Sequence, residues 1–310
     1  MFAAVESAAD VWRFRPHPEV WLLVGTIVGA YWYAITRIGP RVVRRGEVVV
    51  TRGQVWCFGI ATAMLWVASD WPMHDIGEQN LYFVHMLQHM IFSYFMPPLF
   101  LLAIPTWLAR LLVGNGRVYA VVRWLAKPIV AGVTFNLFVM VTHIPAVVNH
   151  SVLESTGALH YGLHTVLVLT ALLMWMPVVS PLPELRIGVG GQMIYLFAMS
   201  IVPTVPASWL VFADGAVYTA YDHGPRVWGI DVTSDQQIAG LVMKIGGSVY
   251  LWTIVTVMFF SRFSKGWNDS NSYRRPRMPD AEITGHDEGP PLTYDDVTKA
   301  FDEVPVPPGG

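Results

Sequence analysis

The feature that most limits what this chain can become is a succession of apolar runs, each near the ~20 residues that a helix needs to cross ~30 Å of hydrocarbon. Seven can be marked off: Val20 to Ile38, Gln54 to Ser69, Leu81 to Ile104, Pro128 to Val148, Leu159 to Val179, Gln192 to Phe212, and Gln237 to Ser261. The second is the shortest. Backbone N–H and C=O groups in lipid must be paired within their own segment or in a closed barrel, and none of these runs alternates with period two. The sequence therefore predicts an all-α polytopic transmembrane bundle of about seven helices. Composition agrees, since 54% of the 310 residues are hydrophobic and 14% charged, against roughly a quarter charged in soluble domains. Pro97 and Pro98 fall inside the third run, and Pro203 and Pro206 inside the sixth. They are expected to kink those helices and to free carbonyls that neighbours must satisfy.

Orientation follows from the basic residues of the short loops, which stay in the cytoplasm. Arg41, Arg44, Arg45 and Arg52 follow the first run, and Arg110, Arg117, Arg123 and Lys127 follow the third. Arg262, Lys265, Arg274, Arg275 and Arg277 follow the last. The alternate loops carry Asp70, Asp75, Glu78, Glu154, Asp214, Asp222, Asp231 and Asp235, with Arg226 as their one strong base. This places the N-terminus outside and the C-terminus in the cytoplasm, against the contrary sign of Arg13 and Arg15. Three parts are expected: an extracytoplasmic arm (1–19), a transmembrane domain (20–262) and a flexible cytoplasmic tail (263–310). The tail turns polar, acidic and rich in Pro and Gly from about Trp267, which leaves little apolar surface to bury. The arm has no apolar run or small-residue cleavage site, so the first span is expected to target the membrane.

A net charge of −2 and scattered arginines exclude a nucleic-acid role. The single cysteine, Cys57, excludes an internal disulfide and any paired-thiol motif. Metal chemistry here would have to use His and Met.

The ten histidines are unevenly placed. His85 and His89 lie in the outer half of the third run, His143 near the outer end of the fourth, and His160 and His164 at the outer start of the fifth. His74, His150 and His223 fall in outward loops. Only His17 in the arm and His286 in the tail stand apart. HMLQH and HYGLH share one spacing, and residues four apart on a helix lie on one face, so each pair can aim both imidazoles at one ion. A single HxxxH is weak evidence, and a single interfacial histidine is ordinarily a hydrogen-bonded side chain. Two such pairs at one depth, with His143 at a similar level, point to a metal or haem site made by His85, His89, His143, His160 and His164. Neutral imidazole suits Cu, Zn, Fe or haem. Met86 and Met90 are read as packing residues before ligands, and the loop histidines as solvated. Lys244, inside the last run, either reaches outward to Asp214, Asp222 or Asp235 or marks a cavity. No nucleophile, base and orienting partner fall together, so no enzymatic hydrolysis is expected.

From WVASDWP through LYFVHMLQHMIFSYFMPPLFLLAIP, with HYGLH and SDQQIAGLVMKIGG further on, the chain resembles the multi-span CtaG family of cytochrome c oxidase assembly factors. The resemblance covers roughly Trp56 to Phe260 and departs from the family's pattern at Lys244, where an apolar or aromatic residue is expected. It implies a non-enzymatic assembly factor, or chaperone, of a bacterial plasma membrane. Copper would be the ion handled, and the partners would be membrane lipid and the oxidase subunit that carries the haem-copper centre. Two alternatives are a haem-b electron carrier, ligated by one histidine from each of the two helices, and a copper transporter. A transporter would continue its polar residues to the cytoplasmic side. Below the histidines the third and fifth runs read IFSYFMPPLFLLAI and VLVLTALLMWM.

Overall fold

The structure, a computed structural model, describes residues 12–154, 157–222, 227–273, 293–295 and 298–299. His223, His286, Arg226, residues 1–11 of the arm, and the tail positions 274–292, 296–297 and 300–310 lie outside the described residues. The chain divides into two compact units, Met1–Arg262 and Phe263–Gly310. The second contains the helical continuation of the last long helix as far as Tyr273.

Helices account for the first unit, and no strand occurs among the described residues. In chain order they are α1 (Pro18–Val42), α2 (Arg52–Ser69), α3 (Met73–Gln79), α4 (Tyr82–Ala103), α5 (Thr106–Val113), α6 (Arg117–Leu125), α7 (Pro128–Thr142), α8 (Pro145–Leu153), α9 (Ala158–Val179), α10 (Val189–Val211) and α11 (Val232–Ser264). Five of these, α1, α4, α9, α10 and α11, are long and apolar enough to cross a membrane, and six spans result if α6 and α7, bent by 71°, are taken as one. α2 is 18 residues long and is diluted by Arg52 and Gln54 in its first turn. The outward surface is apolar: Trp56, Ile129, Ile194 and Phe212 are 73%, 80%, 72% and 82% exposed. Such a surface suits lipid and not water.

Local signals account for several of the helix starts. Pro18, Pro128 and Pro145 each open a helix, where the missing N–H costs nothing. Thr51 and Gln54 form a reciprocal capping box at α2, with Thr51 N–H donating to Gln54 Oε1 at 2.9 Å and Gln54 N–H to Thr51 Oγ1 at 3.2 Å. The segments read as loops differ from expectation. The basic stretch after α4 folds into α5 and α6, and α6 buries none of its side chains, as an amphipathic helix at a membrane surface does. The fourth apolar run also stops early, because His143 and Ile144 break it and Pro145 starts the separate helix α8.

α4 is the centre of the bundle. It packs on α2, α3, α9 and α11, while α9 also packs on α7, and the second half of α10 lies against the start of α11. The prolines act as anticipated, by a specific route. α4 widens to a π-helical turn at Ile91–Phe95 just before Pro97 and Pro98. Pro97 cannot donate to Ser93 C=O four residues back, and the indole N–H of Trp175 on α9 does so instead, at 2.9 Å. α10 breaks at Val202–Pro203. Gly240 on α11 permits the close approach of α10, since a Cβ there would lie 2.7 Å from Ala207 O and 2.8 Å from Val211 Cγ2.

α4 has no side-chain cap of its own. Its first N–H groups are received by Asp235, a fully buried residue in the first turn of α11: Tyr82 N–H and Phe83 N–H donate to the two carboxylate oxygens at 2.8 and 2.9 Å. The carboxylate sits where the N-termini of α4 and α11 converge. The adjacent Gln236 accepts from Val217 N–H and Tyr218 N–H and donates to Tyr218 C=O. This ties the preceding loop to the same point. Asp235→Ala strands two buried donors at about 1–3 kcal/mol each, so a loss of about 2–6 kcal/mol is expected. Asp235→Asn, which keeps one acceptor, should lose less. Thermal unfolding in detergent measures both, and an unchanged midpoint for Asp235→Ala would show that the cap does not hold the bundle.

Candidate metal centre

The two HxxxH segments meet at the same end of the bundle. α4 begins at Tyr82 and α9 at Ala158, so His85 and His89 occupy the first two turns of α4, and His160 and His164 those of α9. His85 and His160 are buried, at 7% and 3% exposed. His89 and His164 are half-buried. One nitrogen from each of His85, His89 and His164 falls within 4.8 Å of the others. His89 Nε2 and His164 Nε2 are 3.2 Å apart, close to the edge of about 3.3 Å of a tetrahedron of nitrogens about 2.0–2.1 Å from an ion. Without an ion, two neutral imidazoles at that distance can share one proton, with one Nε2–H donating to the other nitrogen.

His143 and His160 flank this trio without joining it. The His143 ring centroid is 6.0 Å from that of His89, and the His160 centroid is 4.3 Å from His164 and 5.3 Å from His85. His143 stands at the break that ends α7. Its Nδ1–H donates to Val139 C=O at 2.7 Å, which fixes the tautomer and leaves the Nε2 lone pair unused. His85 Nδ1, His143 Nε2 and His160 Nε2 are buried with no hydrogen-bond partner among the described residues. All five rings were expected at one site: three bring a nitrogen together across two helices, and the other two stand beside them.

A cavity of about 20 Å³ lies between these rings, bounded also by Tyr82, Phe138, Thr142 and Leu167. That is room for an object the size of one water or one ion. Beyond it the core is apolar: Phe92 contacts the His164 ring, and Leu167 and Ala171 are buried. Met86 and Met90 are buried in the same core, with Met90 Cε facing Gly246 and Gly247. They pack, as read from the sequence.

His74 was expected to be a solvated loop residue. It is 2% exposed. The loop that carries it folds into α3, held on α4 by Gly77, where a Cβ would lie 2.7 Å from Gln88 Oε1 and 3.0 Å from His85 N. His74 Nε2 lies 3.2 Å from Glu78 Oε2, off the axis of a hydrogen bond, and Gln88 Nε2 is 3.3 Å from His74 Nδ1. Burial pushes the Glu78 carboxyl up, but the His74 contact and the nearby His160 and His17 outweigh it and hold it below the usual carboxylate range. It is an anion at neutral pH. His17 closes the row: its ring is 5.3 Å from His74, and its nitrogens lie 3.1 Å from Glu19 and 3.1 Å from Asp75. Burial pulls the His17 imidazole down, and those two carboxylates more than offset it, so its pKa is raised. The overlooked signal was HDIGE, in which His74 and Glu78 have the same i,i+4 spacing as the two histidine pairs. His150 is exposed, as expected.

Lys244 does not turn to the outward aspartates. Its ammonium donates to Thr204 Oγ1 at the α10 break, in a second small cavity with Tyr94, Ser200 and Ser248. That is the cavity reading of the two open for it.

No match to this chain was found among curated proteins or solved structures. The family model described as cytochrome c oxidase caa3 assembly factor (Caa3_CtaG) matches residues 29–265, a stretch that includes both histidine helices and α3. On that match over most of its length, and with an all-helical fold that carries several helices able to cross a membrane, the protein belongs to the family of cytochrome c oxidase caa3 assembly factors.

Proposed function

We propose that the protein carries copper during assembly of a haem-copper oxidase. The ion sits among His85, His89 and His164, with His143 and His160 beside it, and passes to the unfinished oxidase subunit that carries the haem-copper centre. The observation that carries this reading is the approach of three imidazole nitrogens from two helices to within 4.8 Å, around a cavity of ion size. Imidazoles without thiolates or a closed fourth ligand hold copper loosely enough to exchange. The layers of α4 and α9 directly beneath the site are largely apolar, which favours lateral transfer to a partner in the same membrane. A haem-b carrier fits less well, because the space between the rings is an ion's and not a porphyrin's. The role is that of a carrier and not of a catalyst.

In this reading α2 and the bent α6–α7 pair join the five long helices as spans, which makes seven. The basic loops then face the cytoplasm, the histidine end lies outside the bacterial plasma membrane, and residues 263–310 form a cytoplasmic tail.

His89→Ala and His164→Ala should each abolish copper binding at this site in the purified protein. The double variant should lose little more, since the two act on one ion. In a host lacking its own copy, either variant should fail to restore oxidase activity while still accumulating in the membrane. Normal oxidase activity with both replaced, under copper limitation, would refute the assignment.

Orientation is tested separately: a reporter fused after Gly310 should be active in the cytoplasm and one inserted near Asp222 outside. The opposite pattern would put the histidines on the wrong side for copper that arrives from outside. Truncation after Trp267 should leave a bundle that accumulates and binds copper as the full chain does. Failure to accumulate would show that the tail is part of the fold.

A further inference from the structure

Next to the three-histidine site is a second group of metal-ligating side chains, and this proposal rests on the copper-carrying reading of the first. His74 and Glu78 on α3 and His160 on α9 each bring one ligand atom within 4.8 Å of the others. His74 and His160 are 2% and 3% exposed; His74 Nε2 faces Glu78 Oε2 at 3.2 Å, and His160 Nε2 has no hydrogen-bond partner among the described residues. Buried nitrogens left in that state are costly unless something occupies the space they face. Glu78 supplies the one negative charge that the three-histidine group lacks. His160 lies between the groups: its Nδ1 is 4.0 Å from Glu78 Oε1, while its ring is 4.3 Å from the His164 ring and also lines the cavity shared with His85 and His89.

We propose that His74, Glu78 and His160 form a second metal site, an entrance site for a divalent first-row cation, and that His160 is a ligand common to it and to the three-histidine site. Two imidazoles and a carboxylate are a donor set for Cu(II) or Zn(II). The carboxylate also offsets part of the ion's charge where burial makes an unpaired charge expensive. An ion held there reaches the three-histidine site by exchange of ligands at His160, with no change in oxidation state and no bond made or broken other than those to the metal. The residues before α1 border this entrance: His17 contacts both His74 and Asp75, and Arg15 donates to Gln79 at the end of α3.

The test is equilibrium dialysis of the full chain in detergent against Cu(II), with metal analysis and electron paramagnetic resonance of the bound ion. The wild-type protein should bind two ions in distinguishable environments. Glu78→Gln and His74→Gln should each lose one and keep the other, and the retained ion serves as the check that the variant is folded. Glu78→Asp should keep both, with the second weakened. His89→Gln should lose the other ion and keep the one on Glu78. His160→Gln should weaken both, a result that independent sites would not give. Two ions bound undiminished by Glu78→Gln and by His74→Gln would overturn the second site. So would a single ion that only His89→Gln removes, and that outcome leaves the copper-carrying reading intact. A single ion removed by Glu78→Gln but untouched by His89→Gln would support the second site and defeat the first.

Discussion

The placement of the histidines depends on one carboxylate, that of Asp235. A helix that begins inside a packed bundle must find acceptors for its first N–H groups, and α4 has no local side chain to provide them. Asp235 receives Tyr82 N–H and Phe83 N–H from across the bundle, a contact between residues 153 and 152 positions apart in sequence. It sets where α4 starts and therefore the height of His85 and His89, one and two turns further on. Because α4 is also the helix against which α2, α3, α9 and α11 pack, the same bond fixes their common reference. Gln236 and Gln237 extend the effect to the loop before α11, through Tyr218 and Ala213. The run SDQQ is thus a polar knot in an otherwise apolar protein.

Much of the fold could be read from the sequence, because the signals for it are local. Apolar length gives the long helices, period four gives the shared face of each histidine pair, and proline chemistry gives the strained turns. The pairing of α4 with α9 was legible as an expectation, since two HxxxH segments at one depth have few other reasons to exist. The orphaned Ser93 carbonyl was legible as a need, but not its solution. That Trp175 answers it depends on the rotation of α9, which no local pattern encodes. The seven spans were less secure as physical objects, because a hydropathy run does not register a break such as that at His143, where the chain turns without a polar residue other than the histidine itself.

The candidate site was only partly legible for the same reason. His85, His89 and His164 converge as the spacing implied, yet His143 and His160 stand beside them. His74 was misjudged because burial was inferred from hydropathy, and the stretch from Met73 to Gln79 is polar. What buries it is a tertiary fact: Gly77 lets α3 settle on the α4 backbone, and residues 12–17 run alongside, with Phe14 against Trp71 and His17 against His74. Asp70 was likewise read as an outward loop charge. It is 7% exposed and accepts from the indoles of Trp21 and Trp66 and from Trp71 N–H. Burial raises its pKa, but these bonds outweigh that, so the carboxyl lies below its ordinary range. Its bonds therefore contribute stability at neutral pH that is lost only as acid protonates it.

The energetics of the histidine end bear on why a carrier would be built this way. His85, His143 and His160 each keep a buried nitrogen without a hydrogen-bond partner among the described residues, and such a group costs about 1–3 kcal/mol relative to a satisfied one. A bundle selected for stability alone would replace these rings with apolar side chains, as it does one turn lower at Phe92 and Leu167. In the proposed carrier, such nitrogens would gain a partner when a cation arrives. His143 shows the arrangement most plainly: its Nδ1–H is held by Val139 C=O, which fixes the ring and leaves Nε2 free to act as a ligand without giving up that bond.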